Sequence, residues 1–436
     1  MKKILIILAF ASTLFAQGFD GVALGFGDNY SALSRGVKAI NYNPANVTLP
    51  RGNAFELNVF GINASVFNNS FSFDTYNNFF VTDEPENRWS ESDKKDFLSL
   101  IPDDGLKMNS HVVGNALGLA FNNFALAAQP IVMGELNTFE DKSLLEIALF
   151  GDTVSRDYER SYDNFVKGQS MGAVKVSLAY GYPFLQIKKY LPDFSYLAVG
   201  IGVNYFISMA YAQTEESDLW VKRTQFDDYE LVELAATAQL KTAVAEGSNP
   251  VGKGRSFNLG FATQFKEKWN FSLSFLNLGG SIEYTENTER VIVEENKTIK
   301  IYHSTDLDDE TIETSTDTTL TIGAFKVDIP TTMRLGASYE FKNNLIFMAE
   351  WVQGLDHTLG NSTTPRIGAG VLYKPFWWLP VRGGFSLGGN RGFILAMGSG
   401  VDLKYWSLDF SFAMKNALWP THSEGLFAAL SMMFKL

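Results

Sequence analysis

Residues 255–278 read RSFNLGFATQFKEKWNFSLSFLNL, and their pattern decides the fold. Phe257, Leu259, Phe261 and Phe265 fall at alternate positions, with Asn258, Gly260, Ala262 and Gln264 on the other parity. After Lys266-Glu267-Lys268 the alternation resumes: Trp269, Phe271, Leu273 and Phe275 against Asn270, Ser272 and Ser274. Successive side chains of a strand point to opposite faces, so this is a hairpin with one greasy face and one small or polar face. Large apolar residues outside and small polar ones inside are what the wall of a membrane barrel around a polar or filled lumen requires.

The unit recurs. Met333, Leu335, Ala337, Tyr339 and Phe341 turn through Lys342-Asn343-Asn344 into Leu345, Phe347, Ala349 and Trp351. Val401, Leu403 and Tyr405 turn into Leu408, Phe410, Phe412 and Met414, and a further copy turns at Asn122-Asn123. Tight turns alternate with long connections at 73–110, 135–170, 213–255 and 280–330. Short turns on one side and long loops on the other are the habit of outer-membrane barrels, with the long loops extracellular. Counting segments from residue 53 to residue 436 predicts an all-β protein: an antiparallel outer-membrane β-barrel of about 14 strands, an even number as bacterial barrels have. A soluble exported β-sandwich is the alternative, since alternation alone fits it too. The loop asymmetry and the final stretch GLFAALSMMFKL weigh against it; there Leu426, Ala428, Leu430, Met432, Phe434 and Leu436 share one face to the end of the chain.

The chain opens MKKILIILAFASTLFAQ. Two lysines, a short apolar run and small residues up to Ala16 read as a secretory signal peptide over 1–16. The run is too short for a spanning helix. A formal net charge of −12 speaks against nucleic acid as a partner, which rewards clustered Lys and Arg. With no cysteine, thiolate chemistry and disulfides are excluded. The four histidines, His111, His303, His357 and His422, stand at no metal-ligand spacing and beside no nucleophile motif, so neither an enzyme nor a metal or other cofactor is expected.

Between leader and first strand, NYNPANVTLP at 41–50 is too polar for a core strand, and Pro44 and Pro50 cannot join a ladder. With about fourteen strands closing around it, residues 17–52 are expected to form a hatch inside the lumen. Three connections carry helix patterns: 90–101, 140–151 and the Ala- and Leu-rich 228–246, which ends at Gly247. The stretch 280–317 is expected to be a solvated acidic loop. Parity places Arg334, Glu350, Arg366, Arg382, Asp402 and Asp409 on the lumen face, with Glu350 diagonal to Arg334 and Arg366. Asp402 and Asp409 are expected nearly opposite each other across the turn at Tyr405-Trp406, matched by Arg382 or by Arg35, Lys38 or Arg51 of the hatch. The apolar phase of the first strand slips between Val59 and Ile62, which suggests a β-bulge at Gly61.

The leader, the Gly-rich segment, the triplet Asn43-Pro44-Ala45 and the strand count together resemble the FadL-type superfamily of outer-membrane transporters for hydrophobic compounds. IPTTMRLGASYEF at 329–341 and LIFMAEWVQGL at 345–355 resemble its strand-turn-strand unit, while DFLSLIPDDGL at 96–106 and ALFGDTVSRDY at 148–158 resemble an uncharacterised branch. The resemblance implies an N-terminal hatch carrying Asn-Pro-Ala, an outer-membrane location in a Gram-negative-type bacterium, contact with outer-membrane lipid, and uptake or binding of hydrophobic small molecules such as long-chain fatty acids. It also implies a lateral exit where a wall strand is kinked. The related PorV-like barrels of the type IX secretion system share the plan but bind secreted proteins, so the partner is either a hydrophobic small molecule or a secreted protein.

Overall fold

The computed structural model describes residues 20–49, 54–81, 89–150, 157–302 and 309–436; the leader 1–16 and Arg51 lie outside them. Alternating residues of the kind seen at 255–278 build twenty strands among the described residues. The first seven are β1 Phe55–Asn68, β2 Leu106–Asn115, β3 Leu117–Phe121, β4 Phe124–Thr138, β5 Tyr158–Asp163, β6 Val166–Phe184 and β7 Phe194–Gln225. Next come β8 Tyr229–Val244, β9 Gly252–Phe265, β10 Trp269–Tyr284, β11 Thr288–Tyr302, β12 Glu310–Thr321, β13 Phe325–Asp328 and β14 Thr332–Lys342. The last six are β15 Leu345–Gly354, β16 Arg366–Phe376, β17 Leu379–Gly388, β18 Ile394–Asp402, β19 Trp406–Lys415 and β20 Gly425–Lys435.

Pairing is antiparallel throughout and closes on itself, because β1 pairs with β20 on one side and with β2 and β3 on the other. β2 and β3, β5 and β6, and β13 and β14 are halves of single strands, and β8, β11 and β12 stand outside the wall. Fourteen wall strands remain. Their outward residues are the exposed large apolar ones, among them Phe257, Leu259, Phe261, Phe271, Leu335, Phe347, Trp351 and Phe385. A soluble sandwich would bury these rings, whereas a closed wall that turns them outward presents a surface suited to lipid.

Two of the expected loop structures are corrected. Residues 228–246 are not helical: Tyr229–Val244 is β8, paired with β7 on one edge and with β11 along its whole length on the other. The Ala and Leu content favours a helix locally, but two ladders satisfy every backbone group of a strand and outweigh a propensity of tenths of a kcal/mol per residue. Likewise the described part of 280–317 is not a loop, since it holds the end of β10, β11 and most of β12. β7 alone has 32 residues, about 105 Å at 3.3 Å per residue. About ten residues cross a bilayer, so the upper part of β7 with β5, β8, β11 and β12 forms a sheet that projects well beyond the wall. The other two helices form over Glu91–Leu100, where Ser90 and Asp93 make a reciprocal capping box, and over Ser143–Phe150.

The bulge in β1 also moves. Asn58 faces Met433 and Phe60 faces Met432, so the extra residue is Val59; Gly61 is regularly paired with Ser431 and Asn115. On the other side the ladder is interrupted at the same height, since Asn58 faces Gly118 and Gly61 faces Asn115 while Ala116 belongs to neither half-strand.

Candidate functional site

Residues 20–49 lie inside the cylinder as three 3-10 turns, Leu24–Phe26, Gly36–Asn41 and Pro44–Thr48. Nearly all of this segment is buried. Pro44 suits the first position of the last turn, where its missing N–H is not needed. Asn43 caps that turn: its Oδ1 accepts the Ala45 N–H at 2.9 Å. Its Nδ2 donates outward to the Phe261 carbonyl at 2.8 Å and to Ser272 Oγ at 2.7 Å, which ties the segment to β9 and β10. Pro44 and Ala45 rest on a row of glycines that are register partners across three wall strands, Gly181, Gly200 and Gly260. A Cβ on Gly200 would come 2.2 Å from the Ala45 nitrogen, and one on Gly260 would come 1.9 Å from Asn43 Oδ1. Only bare backbone admits the triplet this close to the wall. This row lies scattered over eighty residues of sequence; each glycine alone reads as one more small inward residue.

The inward charges form two groups on adjoining parts of the wall, one on β14, β15 and β16 and the other on β17 and β19. In one, Arg334 Nε donates to Glu350 Oε1 at 2.7 Å, its Nη2 lies 3.3 Å from Asp28 Oδ2, and Arg366 Nη2 reaches the same Oδ2 at 3.0 Å. Glu350 Oε2 accepts the Ser31 N–H at 2.9 Å, and the Tyr42 hydroxyl donates to Asp28 Oδ1 at 3.1 Å. Burial, with Asp28 beside it, holds the Tyr42 phenol well above its ordinary pKa. In the other group, Arg382 Nη2 donates to Asp409 Oδ1 at 2.6 Å, and Lys38 lies 3.6 Å from Asp409 and 3.5 Å from Asp20. Burial works against the charge of Lys38, but Asp20 and Asp409 outweigh it and raise its pKa. Each group balances two cations with two carboxylates, as burial demands. Both join wall to segment.

Asp402 does not face Asp409. It is the register partner of Ser407, while Asp409 faces Gly400, because the chain turns over Leu403 to Tyr405 rather than at Tyr405-Trp406. Asp402 instead bridges Lys374 at 3.0 Å and Lys435, partly exposed at the end of the barrel where the short turns lie. Arg35 donates to the Ala32 and Ser34 carbonyls and not to a wall carboxylate.

A cavity of about 170 Å³ lies between this segment and the connection that follows β15. One part of its lining is apolar: Val113, Ile131, Met133, Met171, Phe206 and Ile329. Another part holds Lys175, Arg334, Arg366 and Arg391, and Asp28 is the single carboxylate in the lining. Lys175 Nζ donates to Asn41 Oδ1 at 2.7 Å, a neutral partner. Burial lowers the Arg391 guanidinium to about 10, which leaves it charged at neutral pH. The cover is set by Asp356, whose carboxylate accepts the Thr331 N–H at 2.7 Å, the Thr358 hydroxyl at 2.6 Å and Asn361 Nδ2 at 2.8 Å. Gly360 is folded over Met133 and His111, with φ +78°. Sequence parity found Arg334 and Arg366. Lys175 and Arg391 give no such signal, since a lone lysine in a strand and an arginine in a glycine-rich turn read as ordinary surface.

A closed barrel of fourteen strands with its lumen filled by an N-terminal segment is the FadL-type fold. It matches the TodX deltaS2S3 mutant monoaromatic hydrocarbon channel at a TM-score of 0.50 and 12% identity, over 96% of this chain and 99% of that one. The toluene transporter TodX of P. putida aligns at 0.47 and 11% identity over 96% and 99%, and a Pseudomonas aeruginosa FadL homologue at 0.45 and 11% over 97% and 99%. The chain belongs to the family of unknown function DUF5723, whose sequence model matches residues 44–410. No curated protein sequence matches it.

Proposed function

We propose that the protein sits in the outer membrane of a Gram-negative-type bacterium and takes up a hydrophobic small molecule that carries a carboxylate, a long-chain fatty acid being the type case. The observation that carries this reading is the divided cavity: an apolar wall for a chain, and beside it Lys175, Arg334, Arg366 and Arg391, with Asp28 the single carboxylate in the lining. Sites for small ligands are largely apolar with a few placed polar groups. Residues 20–49 serve as the hatch that a ligand must shift or pass. The bulge at Val59, beside the interruption at Ala116, breaks the wall ladder on both sides of β1 and serves as the lateral exit.

Titration of the detergent-purified protein with palmitate and with methyl palmitate tests the reading. Palmitate should bind more tightly by about tenfold, the worth of one charge-assisted hydrogen bond, and Lys175→Met with Arg391→Met should erase the difference. Equal affinity for acid and ester in the wild-type protein would overturn it.

A further inference from the structure

The short turns lie at one end of the barrel, and from β6 to β20 they form a continuous rim. Backbone hydrogen bonds link each connection to the next: the Lys266 N–H donates to the Asp193 carbonyl, Glu340 to Lys268, Lys374 to Asn344, Asp402 to Trp378 and Lys435 to Tyr405, at 2.7–3.0 Å. The charge of this rim runs against that of the chain, whose formal net charge is −12. Five exposed lysines stand on it, each the sequence neighbour of an aromatic residue: Lys189-Tyr190, Phe265-Lys266, Lys268-Trp269, Phe341-Lys342 and Lys404-Tyr405. Among the described residues none of the five makes an ion pair, whereas Lys188 lies 3.5 Å from Glu267, and Lys374 and Lys435 hold Asp402. Three of them sit over rings: Lys266 Nζ is 5.1 Å from the Phe265 centroid, Lys342 Nζ 5.7 Å from Phe341 and Lys404 Nζ 4.8 Å from Tyr405. Turn geometry does not call for these lysines. The Lys268 N–H bonds back to the Phe265 carbonyl across Lys266 and Glu267, at φ +49° and +58°, a type I′ turn that asparagine and glycine suit best.

We infer that this rim binds the phosphate groups of anionic phospholipids in the periplasmic leaflet, an inference that rests on the outer-membrane placement proposed above. Aromatic residues near the end of a barrel wall stand where hydrocarbon gives way to headgroups. Tyr190, Trp269, Phe341 and Tyr405 are exposed, as rings in contact with lipid must be. A lysine stacked on such a ring, or joined to it in sequence, lays its stem along the wall and holds its ammonium at headgroup depth. Lipid phosphates lie at that depth, and each lysine close to an anionic membrane surface strengthens association by about fivefold. An acidic protein fits the arrangement less well, because it would meet the rim from below, away from the rings. The site stands apart from the lumen cavity and does not depend on what the cavity binds.

The test uses the full chain in phosphatidylcholine bilayers with traces of spin-labelled phosphatidylglycerol or spin-labelled phosphatidylcholine of the same chain length. The motionally restricted fraction gives the relative association constant of each lipid. Phosphatidylglycerol should be favoured by about fivefold, and salt at about 0.5 M should shrink the preference. Lys189→Gln, Lys266→Gln, Lys268→Gln, Lys342→Gln and Lys404→Gln together should abolish it, whereas Lys297→Gln on β11, away from the rim, should not change it. All five rim lysines are exposed, and an unchanged heat-dependent gel shift will show that the barrel still folds. Equal association of the two lipids with the wild type, or a preference that survives the five substitutions, would overturn the inference. So would displacement of the labelled lipid by polyglutamate or glycerol phosphate beyond that caused by sodium chloride at the same ionic strength. The five substitutions leave Lys175 and Arg391 in place, so the choice between palmitate and methyl palmitate reads the cavity independently. Recovery of the chain without detergent would overturn the outer-membrane placement and this inference with it.

Discussion

Gly200→Ala should dislodge the N-terminal segment while leaving the wall intact. The added methyl would sit 2.2 Å from the Ala45 nitrogen and 2.3 Å from the Pro44 carbonyl carbon, both backbone atoms that no rotamer change can move. Overpacking against rigid neighbours costs about 3 kcal/mol, and shifting the triplet also loses two buried Asn43 hydrogen bonds to the wall at about 1 kcal/mol each. Even about 4 kcal/mol multiplies the displaced fraction by roughly a thousand. Proteoliposomes containing the variant should swell in small sugars that the wild type excludes, and protease should cut within residues 20–49. The control is Gly172→Ala on β6, where the new Cβ finds its nearest neighbour at 3.9 Å, ordinary contact, and permeability should not change. Asn43→Ala provides a second route that involves no clash, removing the wall bonds without adding an atom. A folded Gly200→Ala barrel as tight and as protease-resistant as wild type would refute the packing argument.

Four further outcomes follow from the geometry. Asp409→Asn leaves Lys38 and Arg382 buried with only Asp20 to share, which costs about 3–5 kcal/mol and should lower the temperature of the heat-dependent gel shift; Asp402→Asn, partly exposed beside Lys374 and Lys435, should change it by about 1 kcal/mol or less. Deleting Val59 together with Ala116 should regularise β1 against β20 and β2–β3 against β4 while keeping β1 in register with β2 and β3, and should slow uptake with palmitate affinity in detergent unchanged, which separates exit from binding. The pKa of Asp356 is lowered, since burial alone would raise it but the Thr358 and Asn361 hydrogen bonds outweigh that. A depressed carboxylate stabilises above its unfolded pKa and loses that contribution only as pH falls through the folded value, so amide protection in the cover 355–365, taken relative to intrinsic exchange at each pH, should be the same at about pH 7 and about pH 5. Ser90→Ala should speed exchange in the helix Glu91–Leu100 by roughly fivefold, the worth of about 1 kcal/mol for a lost cap.

The wall was legible because its signal repeats. Phe257, Leu259 and Phe261 outside, against Asn258, Gly260 and Ala262 inside, is a local pattern that one-residue slippage would invert, so the sequence carries the strand faces without reference to anything distant. The ladder partners of β8 are distant, and its Ala-rich composition speaks for a helix until β7 and β11 are placed beside it. β11 illustrates the same problem: Val291, Val293, Ile299 and Ile301 alternate properly, but the acids between them look like a charge run. Asp402 and Asp409 fall opposite each other only if the chain turns at Tyr405-Trp406, and the real connection moves the register by two residues. In the site, Asn43 could be read as a local turn former, which it is, but its bonds to β9 and β10 and the glycine row beneath Pro44 and Ala45 exist only once three strands are aligned. Lys175 lies on β6 and Arg391 in the turn after β17, and no spacing in the chain connects them.

Whether the cavity above residues 20–49 holds a hydrophobic carboxylate can be read from mass spectrometry of what stays on the detergent-purified protein. Organic extracts of the wild-type protein should contain fatty acids above the level in a matched unrelated barrel, and Lys175→Met with Arg391→Met should return them to that level. Extracts with no enrichment, or with uncharged hydrocarbons retained equally by wild type and double variant, would contradict it.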